Sequence, residues 1–438
     1  MSLFKVDGKI SAEGNNFMKN ITAIILAAGE GTRMYSQRPK ILHKICGQPM
    51  IDYVVNAVRG IGIKKIIIVV GHKSQLVEDH LSKDVITVKQ KKLLGTGDAV
   101  MSAKSNIGLD DELLILYGDT PLVTSETLKE LLKKHRETAA ACTLLTAVIK
   151  NPSGYGRVLR DDSGKIQRIV EENDATLFQK VVEEINVGVY FYKAKDLFEA
   201  LAKIRPLNKK NEYYLTDTIS LLIKKNKQIA SIRTENNDEI LGINSRRELS
   251  VASRIIKMCL IEKIVDCGVT VVDPDNTYIE VNVTASKDTV IYPFTYIEQD
   301  VTIGKNCIIG PFVRIRRGTT IGNDTIVGNF VELNRSEIGN QCRIKHQSYL
   351  GDTLLEDEVN IGAGTVVANY DGKNKHKTKI KKGAFIGCGT ILVAPVTIGK
   401  SAVTGAGTVV PKNKDVADNT VVVGVPARTL KKKENGNA

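Results

Sequence analysis

Two patterns of apolar and polar residues divide the chain. From residue 21 to about 245, short β-branched runs alternate with amphipathic stretches. ITAIIL (21–26), KIIIVV (65–70), LLILY (113–117) and TLLTAVI (143–149) predict strands, and MIDYVVNAVRG and SETLKELLKKHRE predict helices between them. That order implies an α/β unit with a mostly parallel sheet, helices on both faces, and ligands beyond the carboxyl ends of the strands. RRELSVASRIIKMCLIEKIVD (246–266) has helical spacing without Gly or Pro and predicts a connecting helix.

Past residue 268 the period changes to six. Ile303, Ile309, Ile315, Ile321, Val327 and Leu333 keep it; it slips by one and resumes at Ile338, Ile344 and Leu350, then again at Ile380, Ile386, Leu392 and Ile398. Six residues form one flat side of a triangular coil, with the aliphatic inside and small or turn-forming residues at the corner. Stacked coils bury a continuous aliphatic column. A sandwich of short strands would show period two instead. ANYDGKNKHKTK (368–379) breaks the period and predicts a loop pushed out of its coil.

Composition adds little to this. A chain of 438 residues, 42% apolar and 25% charged, suits two or three soluble domains. No run approaches a membrane span, and the first seventeen residues, before Met18, read as a loose extension rather than a signal peptide. Seven cysteines without a C-x-x-C pair fit a reducing, cytoplasmic setting. The net charge of +13 favours anionic partners. No nucleic-acid motif accompanies it, there is no Trp for base stacking, and Lys431–Lys433 reads as a solvated tail.

Candidate chemistry starts at LAAGEGTRM, directly after the first strand. Ala27, Ala28, Gly29 and Gly31 let the backbone approach a triphosphate, and Arg33 and Lys40 bring positive charge. The dinucleotide fingerprint fails because Met34 stands at its third glycine, and the nearest P-loop match, APVTIGKS, begins with Ala394 inside the hexapeptide array. Asp119 in YGDTP ends an apolar strand; it suits a magnesium ligand or a cap of the turn that follows.

Read together, LAAGEGTRM, PKILH, LGTGDA, YGDTP, GYGR, EIN and NEYYLTD, with VGNFVEL, YLGD, NIGAGT and ANYDGKNK, closely resemble the bifunctional GlmU family from about residue 20 to 430. Its members are N-acetylglucosamine-1-phosphate uridylyltransferases and glucosamine-1-phosphate acetyltransferases. The resemblance implies a Rossmann-like nucleotidyltransferase domain (18–245), a linker helix (246–267) and a left-handed parallel β-helix (268–430) that forms a homotrimer. It implies UTP, N-acetylglucosamine 1-phosphate, glucosamine 1-phosphate and acetyl-CoA as substrates, with neither nucleic acid nor membrane as partner. It also implies Mg²⁺ on Asp119 and Asn244, and UDP-N-acetylglucosamine as the product that feeds cell-wall and lipopolysaccharide precursors.

Matched residue by residue, the resemblance puts Leu26, Ala27, Ala28, Gly29, Tyr117 and Gly118 at the nucleotide, with Arg33 and Lys40 as catalytic charges. Gln90, Gly95 and Thr96 hold the uracil, and Gly156, Glu171 and Asn186 hold the N-acetyl sugar. In the second half His346 takes the place of the base. Arg316, Tyr349 and Asn360 contact the sugar phosphate substrate, and Ala363, Asn369, Tyr370, Cys388 and Ala406 fall at substrate or CoA positions. Three positions depart from the family: Asn334 for a phosphate-binding Lys, Gly424 for a CoA-binding Arg, and Cys388 for a Ser. The β-helix also reads as about two coils shorter than usual. Arg335 and Arg428 or Lys431 are candidate replacements for the lost charges. Two rival readings keep less: a monofunctional nucleotidyltransferase with the β-helix as trimerisation scaffold, or a regulatory subunit on the same two folds. Arg33, Lys40, Asp119 and Asn244 argue against the latter.

Overall fold

The computed structural model describes residues 20–71 and 73–430; the extension before Met18 and the run Lys431–Lys433 lie outside the described residues. The chain forms two compact units that divide within the helix Arg246–Val265, at Ile255 and Ile256. No helix among the described residues is long and apolar enough to cross a membrane.

In the first unit the strands Ile21–Ala27, Lys65–Val70, Glu112–Tyr117 and Cys142–Val148 and the helices Met50–Gly60 and Ser125–Thr138 lie where the apolar pattern puts them. Ile21–Ala27 is central, pairing in parallel with Lys65–Val70 on one side and Glu112–Tyr117 on the other. Its first six residues are all buried, as a strand covered on both faces requires. Two strands depart from the parallel expectation, Ile166–Val170 and Glu184–Lys193. Glu184–Lys193 lies antiparallel between Glu112–Tyr117 and Cys142–Val148. The chain reaches it through the antiparallel pair Arg157–Arg160 and Ile166–Val170 rather than a crossover helix, so it returns in the opposite direction.

Thr124 caps the helix Ser125–Thr138, its Oγ1 accepting from the Thr127 N–H at 3.2 Å. The same hydroxyl donates to Glu239, a fully buried carboxylate that also accepts from the Thr124 N–H (3.2 Å), Thr127 Oγ1 (2.7 Å) and Thr234 Oγ1 (3.0 Å). Glu239 belongs to the short turn Asn237–Ile240, and the chain runs from there directly into Gly242–Asn244. The cluster therefore anchors the segment that delivers Asn244.

The second unit is the left-handed parallel β-helix, three parallel sheets whose strands alternate along the chain. Ile279 stacks on Ile297 and Ile297 on Ile315, one coil of 18 residues each. All thirteen aliphatics of the period-six pattern are at most 4% exposed. The slip is a pair of successive 17-residue coils, Ile321 over Ile338 and Ile338 over Leu355. The projecting loop lengthens one coil to 25, Leu355 over Ile380, and is pinned across its neck by the bridge Tyr370↔Lys375.

The glycines after the aliphatics do not make the corners. Residues such as Asn306 and Asp324 do, at φ 55° and 57°. A Cβ on Gly322 would instead lie 2.7 Å from the Gly339 carbonyl carbon of the next coil, so its role is close stacking.

Glu239→Ala leaves three hydroxyls and an N–H without their acceptor. It should destabilise the first unit by about 3 kcal/mol, read as a lower denaturant midpoint; an unchanged midpoint would show that the threonines find other partners.

Candidate functional site

Register decides where the first site lies. Leu26 pairs with Tyr117 and Ala27 with Val70, so three parallel strands end side by side. The segments that follow them open a cavity of about 670 Å³. Leu26, Ala27, Ala28, Gly29, Lys40, Gln90, Gly95, Thr96, Tyr117 and Asp119 all line it. Gly118 lies behind the wall, its N–H on the Leu26 carbonyl at 2.9 Å. Arg33 is exposed on the turn Thr32–Met34 and is not part of the lining; Arg38, Lys73 and Lys210 are the other cations there.

Asp119 and Asn244 are 125 residues apart in sequence, yet the Ile243 N–H donates to the Asp119 carbonyl at 2.8 Å. The helix start holds Asn244 from the other side. Ser245 and Glu248 form a capping box, Glu248 N–H to Ser245 Oγ at 3.3 Å and Ser245 N–H to Glu248 Oε2 at 2.7 Å. The same carboxylate oxygen accepts from the Asn244 N–H at 2.7 Å. Lys40 Nζ then donates to Asp119 Oδ2 and, at 3.0 Å, to Asn244 Oδ1. One carboxylate and one amide oxygen thus converge on a single cation. Hard oxygen donors, two in number, suit a magnesium ion that keeps waters and substrate phosphates as its remaining ligands.

The segments LGTGDA and NEYYLTD are laced together. Gly97 N–H donates to the Tyr213 carbonyl, Tyr213 N–H to the Leu94 carbonyl (both 2.7 Å), and Leu215 N–H to Thr96 Oγ1 (2.9 Å). Gln90 is buried, and its Nε2 donates to Asp98 (2.7 Å) and to the Gly95 carbonyl (3.1 Å). Because both partners only accept, the amide orientation is settled and Oε1 is left for an N–H donor.

Gly156, Glu171 and Asn186 also come together. Asn186 N–H donates to the Gly156 carbonyl at 2.9 Å, and a Cβ on Gly156 would lie 3.5 Å from Glu171 Oε2. Thr216 Oγ1 donates to Glu171 Oε1 at 2.8 Å. Burial pushes the Glu171 carboxyl above its usual range, with the Thr216 hydroxyl opposing. Sequence reasoning assigned nothing to Thr216, although it sits inside the quoted NEYYLTD. Nor did it assign a role to Arg157, buried in an ion pair with Glu172 at 2.7 Å beside Gly156.

In the second unit the residues expected at a site form two groups. The pairs Arg343↔Asn360, Asn360↔Phe385, Phe385↔Val403 and Val403↔Val421, carried three residues on, stack His346, Ala363, Cys388, Ala406 and Gly424 at one corner of successive coils. His346 is exposed there. Gly424 has φ +89° in the turn of a terminal hairpin, Val423 opposite Arg428, a backbone that disfavours any side-chain-bearing residue at 424.

On the adjoining face Arg316 bonds Glu332 (3.2 Å), and Glu332 pairs with Tyr349. Asn334 is buried, its Nδ2 on the Tyr349 hydroxyl at 3.4 Å. Arg335 grips Asp352 with Nε and Nη2 (2.7 and 2.8 Å) and donates Nη1 to Asn334 Oδ1 (2.9 Å). Asn369 Nδ2 reaches the same Asp352 at 2.5 Å. The bond from Arg335 holds the Asp352 carboxyl below its usual range. Tyr370 is exposed on the loop, its hydroxyl on the Gly372 carbonyl at 2.6 Å.

Residues 22–239 match the nucleotidyl transferase family model, and residues 279–372 match the GMPPB C-terminal domain. The bifunctional protein GlmU of Acetivibrio thermocellus is 39% identical over 94% of this chain and 97% of its own length. That of Pelotomaculum thermopropionicum is 42% identical over 86% and 90%. The alignment with the former runs to 448 positions, whereas 94% of this chain is about 412 residues. About 36 positions of that alignment therefore have no residue here.

The raised Glu171 pKa carries a sign for stability. Above its ordinary range the unfolded chain has already lost a proton that the folded chain keeps, so stability falls as pH rises through that window and the loss is complete above the folded pKa. Glu171→Gln should remove this slope and be more stable than the parent at neutral pH, with the difference vanishing at acid pH. Denaturant titrations at a series of pH values decide; equal midpoints throughout would rule it out.

Proposed function

This chain belongs to the bifunctional GlmU family, and from that premise we propose two activities in sequence. The β-helix (268–430) acetylates the amine of glucosamine 1-phosphate with acetyl-CoA. The nucleotidyltransferase domain (18–245), joined to it by the linker 246–267, then transfers uridylyl from UTP to the N-acetylglucosamine 1-phosphate so formed, releasing pyrophosphate. The homotrimer, the cytoplasmic setting and the use of small-molecule substrates alone belong to the same reading.

For uridylyl transfer, the observation that carries the reading is the convergence of Asn244 on Lys40 and Asp119, which line the strand-end cavity. Asp119 and Asn244 would hold Mg²⁺, which when bound neutralises phosphate charge. A sugar phosphate oxygen forms a bond to the α-phosphorus as the bond to pyrophosphate breaks. That oxygen is already anionic, so no general base is required, and positioning and charge neutralisation do the work. The backbone of Ala28–Gly31 approaches the phosphates and Lys40 adds a positive charge. Arg33 joins only if its exposed side chain turns inward, whereas Arg38 already lines the cavity. Gln90 Oε1 suits the imide N–H of uracil, with Gly95 and Thr96 beside it. Glu171 and Asn186 offer oxygens and an amide to the sugar hydroxyls and N-acetyl group, beside Gly156, where a Cβ would crowd Ile169 at 3.1 Å.

For acetyl transfer, His346 takes a proton from the substrate ammonium, and the freed amine attacks the thioester carbonyl; the thiolate leaves and is protonated. Ala363, Cys388 and Ala406 continue the His346 corner as a shallow track for CoA. Asn360, Asn369 and Tyr370 flank it, and Arg316 and Tyr349 receive the sugar phosphate.

Two assays test the pair of activities. Purified protein with acetyl-CoA and glucosamine 1-phosphate should release free thiol, and His346→Ala should abolish the release; equal rates would remove the histidine from the mechanism. With UTP and N-acetylglucosamine 1-phosphate, Asp119→Ala should slow pyrophosphate release by roughly 100-fold or more, and wild-type rates would refute the magnesium site.

The contacts of Arg335 use three of its five N–H groups, which leaves two for a phosphate beside Asn334. A charge-assisted bond of about 1.5–3 kcal/mol then sets the expectation for Arg335→Ala: KM for glucosamine 1-phosphate up by roughly 10- to 100-fold, kcat little changed. Unchanged kinetics would make Arg335 purely structural.

A further inference from the structure

We infer that Lys40 is a displaceable counter-ion: in the metal-free protein its ammonium occupies the place between Asp119 and Asn244 that a divalent cation takes, so lysine and metal are alternative occupants. This rests on the reading that Asp119 and Asn244 hold the metal.

The geometry singles out Lys40 among the cations of the cavity. Its Nζ is the partner of both Asp119 Oδ2 and Asn244 Oδ1, whereas Lys73 Nζ is spent on the Gln37 carbonyl at 2.8 Å. The backbones that carry the two oxygens are tied by bonds that do not involve Lys40: Ile243 N–H to the Asp119 carbonyl, and Asn244 N–H to Glu248. The two residues therefore stay side by side when the ammonium leaves. The base of Lys40 is fixed on the short turn Lys40–Leu42 and packs against Gly31, where a Cβ would lie 2.8 Å from Lys40 Cβ. Its four-carbon stem is the part free to move.

Two cations on one pair of oxygens repel each other strongly at partly buried distances. A divalent ion must push Lys40 off before it binds, and a triphosphate offers the released ammonium a new anionic partner. Metal alone is then bound weakly, while metal and nucleotide each strengthen the other, as linkage requires. In the absence of both, Lys40 keeps a carboxylate and an amide oxygen from facing each other unneutralised.

Electron paramagnetic resonance titration of the full chain with Mn²⁺, without nucleotide, tests this. Lys40→Met should bind Mn²⁺ roughly 10-fold tighter or more than wild type. Lys40→Arg should stay within about 2-fold of wild type, as should Lys73→Met, which removes an equal charge from the same cavity without touching the oxygens. No tightening in Lys40→Met overturns the inference, as does equal tightening in Lys73→Met, which would mean a general field rather than shared occupancy. Asp119→Asn separates the premise: if it binds Mn²⁺ as wild type does, the metal assignment itself fails and takes this inference with it. A measurement on the unmodified chain guards against a misfolded variant. Reductive methylation of Lys40, followed by mass spectrometry, should speed up several-fold on adding Mg²⁺ alone; a rate indifferent to Mg²⁺ overturns the inference.

Discussion

Parallel strands in register align their ends, and both sites follow from that constraint. In the first unit, pairing Leu26 with Tyr117 and Ala27 with Val70 brings three strand ends to one edge, so LAAGEGTRM and YGDTP open into the same cavity. In the second, the same kind of pairing repeats every coil. A residue three positions past a strand start is therefore stacked on its equivalents above and below, about 4.8 Å apart. His346, Ala363, Cys388 and Ala406 form a column for this reason, although the gaps between them in sequence are unequal. Neither site needs a dedicated scaffold beyond the hydrogen bonds that make the sheets.

Two carboxylates, Glu239 fully buried and Glu171 partly so, show how differently burial can be used. Glu239 is enclosed by hydroxyl and N–H donors, and its role is to hold the turn that leads to Asn244. Glu171 has one side-chain donor, Thr216, for the same kind of charge, and burial drives its pKa upward. A carboxylate left short of donors is a poor choice for stability and a good one for gripping a ligand that brings its own donors. The contrast fits the ligand-gripping role proposed for Glu171 and the structural one of Glu239.

Much of this was legible in the sequence, because burial dictates it one residue at a time. Each aliphatic of the period-six series points inward, and the short β-branched runs 21–26 and 65–70 predict covered strands. The direction of Glu184–Lys193 was not legible: EINVGVYFYK declares a strand, while its antiparallel setting depends on the short pair of strands that precedes it. Side-chain direction within a turn was equally hidden. Gly31 and Tyr35 both take left-handed backbone, at φ 65° and 46°, around the turn that leaves Arg33 exposed, while Arg38 lines the cavity. The departure at Gly424 also reads differently in three dimensions, since a backbone at φ +89° favours glycine whatever the ligand demands.

The slip in the hexapeptide period ties pattern to chemistry. From Leu333 to Ile338 and from Leu350 to Leu355 the aliphatic spacing is five, and the left-handed corner residue comes two positions after the aliphatic, at Arg335 and Asp352, rather than three as at Asn306. Two shortened corners in consecutive coils stack directly, and that stacking brings the Arg335 guanidinium against the Asp352 carboxylate along two bonds. Asn334 and Asn369 are then drawn in by the same pair. An ordinary six-residue corner in either coil would put one of the two partners out of step and break the fork. The irregularity is therefore not a flaw tolerated by the coil. It builds the polar cluster beside Tyr349 in which Asn334 and Arg335 are joined.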